Sequence, residues 1–401
     1  MPRSQPRHPA SAPTRGTPVL GTISFTVVLL AAAAGCDSTT APDGSDVIVR
    51  EPALTGRLVA GSSHTCKLAT DDAAYCWGSN GQGQVGIGAL SPRVRQPTAV
   101  ATTLRFARLA AGYSHTCGLT RDGTAYCWGW NGRGELGDGT TQTRTVPTPV
   151  ATSLRFTTLV TGAGIVTCGL TADSQAYCWG SNFDGTVGDG TTVDRVVPTA
   201  VATPSPLRLL TVGYASCGLA ASGQAYCWGD NTFGALGVGD TRDRSVPGPV
   251  QGGVSFAALA AGGYAVCGLT AAGVPYCWGR TFAQGTASDA VTTPTPLAGN
   301  LQFASLAAGS AHACGLTPRG RAYCWGDNLT GALGDGTTER VRPAPTPVTG
   351  GLAFQLVVAG DSHTCGLTSS ASLYCWGFNT TGQLGDSTTA SRNRPVLIHV
   401  P

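Results

Sequence analysis

LRFARLAAGYSHTCGLTRDGTAYCWGWNGRGELGDGTTQTRTVPTPV, residues 104–150, is the fullest copy of a unit that the chain writes seven times. Its apolar and β-branched runs, separated by Gly-rich or Pro-rich punctuation, predict four strands: Phe106–Ala111, His115–Thr120, Thr124–Gly129 and roughly Pro147–Ala151. Four short strands make one small antiparallel sheet. If Arg121-Asp122-Gly123 is a three-residue hairpin loop with Gly123 left-handed, Thr120 opposes Thr124 and Cys117 therefore opposes Cys127. Directly opposed residues stand about 5.5 Å apart between Cα atoms, within disulfide reach, so the two thiols are expected to bond within their own sheet.

The same pair recurs as Cys66–Cys76, Cys168–Cys178, Cys217–Cys227, Cys267–Cys277, Cys314–Cys324 and Cys365–Cys375, always ten positions apart. First members follow one another at 51, 51, 49, 50, 47 and 51 residues, a period in the range of solenoids and propellers. The chain-entropy account gives each eleven-residue loop about 2.5–3 kcal/mol. A 50-residue sheet cannot bury its own face, so staples and stacking between neighbours must share the work. Zinc fits poorly, because the pairs lack the knuckle spacing of a structural site.

Composition agrees with many short strands. Of 401 residues 42% are hydrophobic and only 12% charged, with 57 Gly, 25 Pro and 15 Cys, so a mostly helical fold is excluded. The formal charge of +3 comes from Arg3, Arg7 and Arg15 near the N-terminus, and the rest of the chain is neutral. Residues 1–35 read as a secretion signal: a basic start, a short apolar run densest from Phe25 to Ala34, then small residues. That run is shorter than the ~20 apolar residues a membrane-spanning helix requires. Ala33-Ala34-Gly35-Cys36 resembles a bacterial lipobox, with Ala33 where the pattern prefers Leu, which makes Cys36 a candidate lipidation site. Cleavage after Ala34 is the alternative. Residues 36–55, rich in Ser, Thr, Gly, Asp and Pro at their start, read as a flexible tether to a domain spanning 56–401.

The pattern Gly-x-x-His-Thr-Cys-Gly-Leu, then Tyr-Cys-Trp-Gly-x-Asn-x-x-Gly-x-Leu-Gly-Asp, resembles the repeat of the regulator of chromosome condensation family. The resemblance covers about residues 56–401 and implies an all-β, seven-bladed β-propeller of four-stranded antiparallel blades. It also implies guanine-nucleotide exchange on a small GTPase as one reading of function, although no unit carries an insertion resembling that family's nucleotide-displacing wedge. The cysteine pairs depart from intracellular members and suit an exported form. Unit five departs too, with Arg280-Thr281-Phe282-Ala283-Gln284 after Trp278-Gly279. The chain ends on an outer-type strand, Pro395–Val400, so one terminal segment is expected to complete a blade begun by the other.

Chemistry is sparse. His64, His115, His312 and His363 share one repeat position, as metal ligands only if they line the axis and otherwise as hydrogen-bonded structural groups. Asp138, Asp189, Asp335 and Asp386 sit in Gly-Asp-Gly-Thr-Thr or close variants, with Arg144, Arg195 and Arg392 six residues after three of them; they read as loop braces, since one Asp among Gly and Thr gives too few oxygens for calcium. A single lysine, Lys67, and no phosphate cradle leave nucleotide binding without support, and evenly scattered arginines argue against nucleic acid. No nucleophile elbow is present. A hydrolase working in a central funnel survives only as a remote alternative. The residues that break the repeat after Trp-Gly are Trp130, Phe183, Phe233, Phe282, Leu329 and Phe378, which either gather on one rim as partner contacts or fold back between blades. The reading is a monomeric, exported, lipid-anchored binding platform for a protein or an envelope glycan, with no enzymatic activity and no cofactor.

Overall fold

The computed structural model describes residues 54–162, 165–280 and 290–401. These form seven four-stranded antiparallel sheets, each built from four consecutive strands, spanning residues 58–99, 108–149, 156–200, 207–249, 258–296, 305–347 and 354–398. The described residues contain no helix. In blade two the strands are Arg108–Ala111, His115–Leu119, Ala125–Gly129 and Arg144–Pro149. The innermost strands of all seven blades line one axial cavity of about 520 Å³. The architecture is an all-β propeller.

The hairpin register follows the loop chemistry. Thr120 N–H donates to Thr124 O at 3.0 Å, Gly123 has φ +82°, and Cys117 stands opposite Cys127. In three blades the left-handed loop position is held by Asp72, Ser174 and Ala371, at φ 64°, 64° and 60°. All seven cysteine pairs are bonded, with Cα atoms 4.0–4.1 Å apart. That separation corrects the 5.5 Å expected from sequence. Hydrogen-bonded pairs alternate with narrow pairs along an antiparallel ladder, and three steps from the bonded Thr120–Thr124 pair the cysteines fall on a narrow one.

The outermost strand also differs from expectation, starting at Arg144 rather than near Pro147. Gly129 pairs with Arg144 while Cys127 pairs with Thr148, so a bulge in the outer strand carries the pairing further. Gly129 sits at φ +106°, and a Cβ there would lie 2.6 Å from Ser114 O. Backbone conformation and crowding both explain why Trp is followed by Gly in every unit.

The cores lie between blades. Cys117, Leu119, Cys127, Leu136 and Val150 of blade two close on Phe156, Leu159 and Trp179 of blade three, and comparable clusters fill the other interfaces. Each blade therefore needs its neighbour to bury its face. Ring closure uses the same packing: Trp77 of blade one enters the cluster of blade seven and donates its indole N–H to Gln383 O at 2.9 Å. No blade is shared between the two ends, which corrects the expectation that one terminal segment completes the other's sheet. Trp enclosure and side-chain hydrogen bonds hold this seam instead.

Candidate functional site

In each blade the innermost strand ends at a Gly, and antiparallel pairing brings the third strand back to the same end. Blade two shows it: Gly112 follows the innermost strand, His115 opposes Gly129, and Trp130 N–H donates to Ser114 O at 2.9 Å. The short loop after the innermost strand and the long loop after Trp-Gly thus share one face, called here the mouth face.

At the axis this face narrows to a ring of glycines. Gly61, Gly112, Gly162, Gly262, Gly309 and Gly360 line a narrow space of about 70 Å³. A Cβ on Gly162, Gly213, Gly262 or Gly309 would overlap a carbonyl oxygen of the next blade, so the ring draws tight only without side chains. Above the constriction Asp361 accepts hydrogen bonds from Ser62 at 2.5 Å and Ser310 at 2.6 Å, tying blades one, six and seven. Tyr214 and Tyr264 stack at 4.6 Å across blades four and five, Phe233 meets Tyr264 edge-on at 5.0 Å, and the Arg280 guanidinium lies 5.1 Å over Phe233. Burial, with Tyr264 and Asp361 adding repulsion, pushes the Tyr214 phenol up to about 12. Tyr113, at the repeat position of Ser62, Ser310 and Asp361, is 44% exposed.

The aromatics singled out in the sequence divide. Trp130 and Phe183 are exposed, at 38% and 75%. Phe233 and Phe378 are half-buried; Phe233 folds back onto Tyr264, while Phe378 and exposed Leu329 line a groove of about 450 Å³ between the last two blades. Phe282 and Cys36 lie outside the described residues, as do the signal and most of the tether. Tyr113, Tyr214, Tyr264 and Asp361 were not singled out, although they too break the repeat, in the Gly-x-x-His segment.

The four histidines are structural. Each Nε2 meets a Thr hydroxyl of the following blade at 2.8–2.9 Å: His64 with Thr116, His115 with Thr167, His312 with Thr364 and His363 with Thr65. Each of those hydroxyls donates its one proton to a backbone carbonyl, Gln84, Glu135, Ala332 and Gln383 respectively. The imidazole must then be the donor, which assigns the Nε2–H tautomer. Burial holds these rings neutral, lowering His64 and His363 to about 3 and His115 and His312 to about 4. Among the described residues no three His, Cys, Asp or Glu converge as metal ligands. The Asp braces bind Arg144, Arg195 and Arg392 at 2.6–2.9 Å, and Asp335 takes Arg342, seven residues on. The buried Asn131 side chain, bonded to Thr140 O and the Leu136 N–H, fixes the long loop from within.

The family model described as "Regulator of chromosome condensation (RCC1) repeat" matches residues 71–119, 122–168, 173–219, 222–269, 319–367 and 370–401. A second model of the same description matches 57–84, 106–135, 303–331 and 354–383. Residues 270–302 are matched by neither, and unit five's departure lies there. The chain is 31% identical over 158 residues to the ultraviolet-B receptor UVR8 of Arabidopsis thaliana, covering 39% of this chain and 36% of that protein. It spans little more than a third, or less, of the length of the curated relatives it matches. Its fold matches human WBSCR16 with a TM-score of 0.75 at 21% identity, over 82% of this chain and 95% of that one. It also matches the entire ectodomain of the Physcomitrella patens receptor kinase CR4, with a TM-score of 0.53 at 26% identity, over 80% and 73%.

Proposed function

The chain belongs to the regulator of chromosome condensation repeat family, and from that premise we propose that it is an exported, non-enzymatic binding platform whose mouth face docks a protein partner. One observation carries the reading: the residues that break the repeat, rather than those that build it, supply the exposed aromatics Tyr113, Trp130 and Phe183 of this face. Large rigid aromatics at low side-chain entropy cost are the residues on which interfaces concentrate affinity. Seven disulfides point to folding in an oxidising compartment. No helix among the described residues is long and apolar enough to cross a membrane. The CR4 propeller is a receptor ectodomain, which supports an extracytoplasmic setting here. In this reading residues 1–35 direct export and Cys36 carries the lipid.

Affinity capture from the host's own envelope fraction, with the full chain and a Trp130→Ala/Phe183→Ala variant, tests the platform. Loss of the captured protein in the variant is the expected result; an identical captured set with both chains would contradict it. Mass analysis of the N-terminal peptide tests the anchor. A lipid mass on Cys36 is expected, and an unmodified Cys36 would remove it.

A further inference from the structure

The middle of the mouth face differs chemically from its rim. Asp361 presents both carboxylate oxygens at the axis, each holding one Ser hydroxyl, so its charge stays fixed in place. Asp361 and Asp230 both act on Tyr214, and Asp230 with Asp243 acts on Asp184, so four carboxylates share this side of the ring. Of the cations nearby, Arg133 is paired with Asp194 at 3.0 Å and the Arg280 guanidinium lies over Phe233. That contact is internal evidence that the aromatic cluster accepts a cation on a ring face. Tyr113 holds the same repeat position as Asp361, two blades on around the ring; it is exposed and, like Asp361, acts on Tyr214.

Resting on the platform reading, we propose that the axial mouth around Tyr113, Tyr214 and Asp361 receives a cationic side chain, Lys or Arg, from an exposed segment of the protein partner. An aromatic face and a carboxylate fixed by two hydroxyls attract a cation jointly, and the glycine ring beneath leaves a space of only about 70 Å³, so the side chain caps the axis rather than threading it. A glycan is served less well. The mouth offers a negative charge and aromatic faces rather than an array of neutral donors and acceptors for sugar hydroxyls.

Fluorescence anisotropy of the full chain with a labelled hexa-arginine peptide at physiological salt tests this, against Gly-Ser and hexa-glutamate peptides of equal length and against maltoheptaose. Saturable binding of the arginine peptide alone is expected, weakened about five- to tenfold by Tyr113→Ala and by Asp361→Asn. Should Asp361→Asn fail to fold, Tyr113→Arg places a competing cation on an exposed position and is expected to abolish binding. Unchanged affinity in the Tyr113 variants, equal binding of the Gly-Ser peptide, or binding of maltoheptaose in place of the peptide overturns the inference. Partner capture that is lost with Trp130→Ala/Phe183→Ala yet survives Tyr113→Arg also overturns it, while leaving the platform standing.

Discussion

Ala371 occupies the left-handed third position of its hairpin loop, where Gly123, Gly223, Gly273 and Gly320 serve other blades. A Cβ at positive φ costs about 1–2 kcal/mol, and glycine's extra unfolded-state freedom returns part of that. Ala371→Gly is expected to stabilise by about 0.5–1 kcal/mol in denaturant unfolding, whereas Gly123→Ala, whose Cβ would lie 2.9 Å from Phe156 O, destabilises. Glu135 is a second local anomaly. It is fully buried where blades one and seven have Gln84 and Gln383; its Oε2 accepts the Arg133 N–H and its Oε1 has no partner. Burial raises its carboxyl above the usual range, with the Arg133 N–H opposing. The folded state therefore holds this proton more tightly than the unfolded state. Stability is lost as pH rises from the unfolded value near 4.5 through the raised folded value, and the cost is complete above it. Glu135→Gln keeps the bond to Arg133 N–H and removes the buried charge, and is expected to be more stable than the parent at neutral pH, with the gain vanishing below pH 4.5. Melting curves of both chains across that range check it.

At the scale of the blade, the histidine of one sheet and the threonine of the next form a clip that was legible in the repeat but is visible only with neighbouring units in register. His64, His115, His312 and His363 are each followed in the next blade by Thr, whereas Val166, Ala215 and Ala265 are followed by Ser216, Val266 and Ala313. Thr167→Val leaves a buried imidazole N–H without an acceptor and is expected to cost about 1–3 kcal/mol. His115→Ala with Thr167→Val is then expected to cost less than the two single changes added, with a coupling of about 1 kcal/mol or more. Strict additivity in that cycle would show that the clip is not an energetic unit. The hairpin register was readable because one loop length and one glycine fix it. The narrow cysteine pair was readable in principle by counting parity from Thr120. The start of the outermost strand was not, because the bulge opposite Gly129 moves the pairing beyond what strand propensity marks.

Across the whole molecule, the seven units announced a ring of sheets, but the mouth stayed hidden for a geometric reason. Ser62, Ser310 and Asp361 come from three different blades and join at the axis only when the ring closes through Trp77 and Gln383, and Tyr214 and Tyr264 stack only because two successive blades pack side by side. The repeat-breaking aromatics of the long loop, Trp130 and Phe183 among them, stand out in the sequence, whereas the short loop bearing Tyr113 and Asp361 gains its meaning only from its place at the axis of the closed ring. The proposed address outside the cytoplasm rests on each blade being stapled to itself. Peptide mapping of the native-host protein by mass spectrometry, digested without reduction after blocking free thiols, tests this most directly. The expected result is seven linked pairs, each ten residues apart from Cys66–Cys76 to Cys365–Cys375, and no blocked thiol among those fourteen cysteines. Blocked thiols at those positions, or bridges joining different blades, would contradict it.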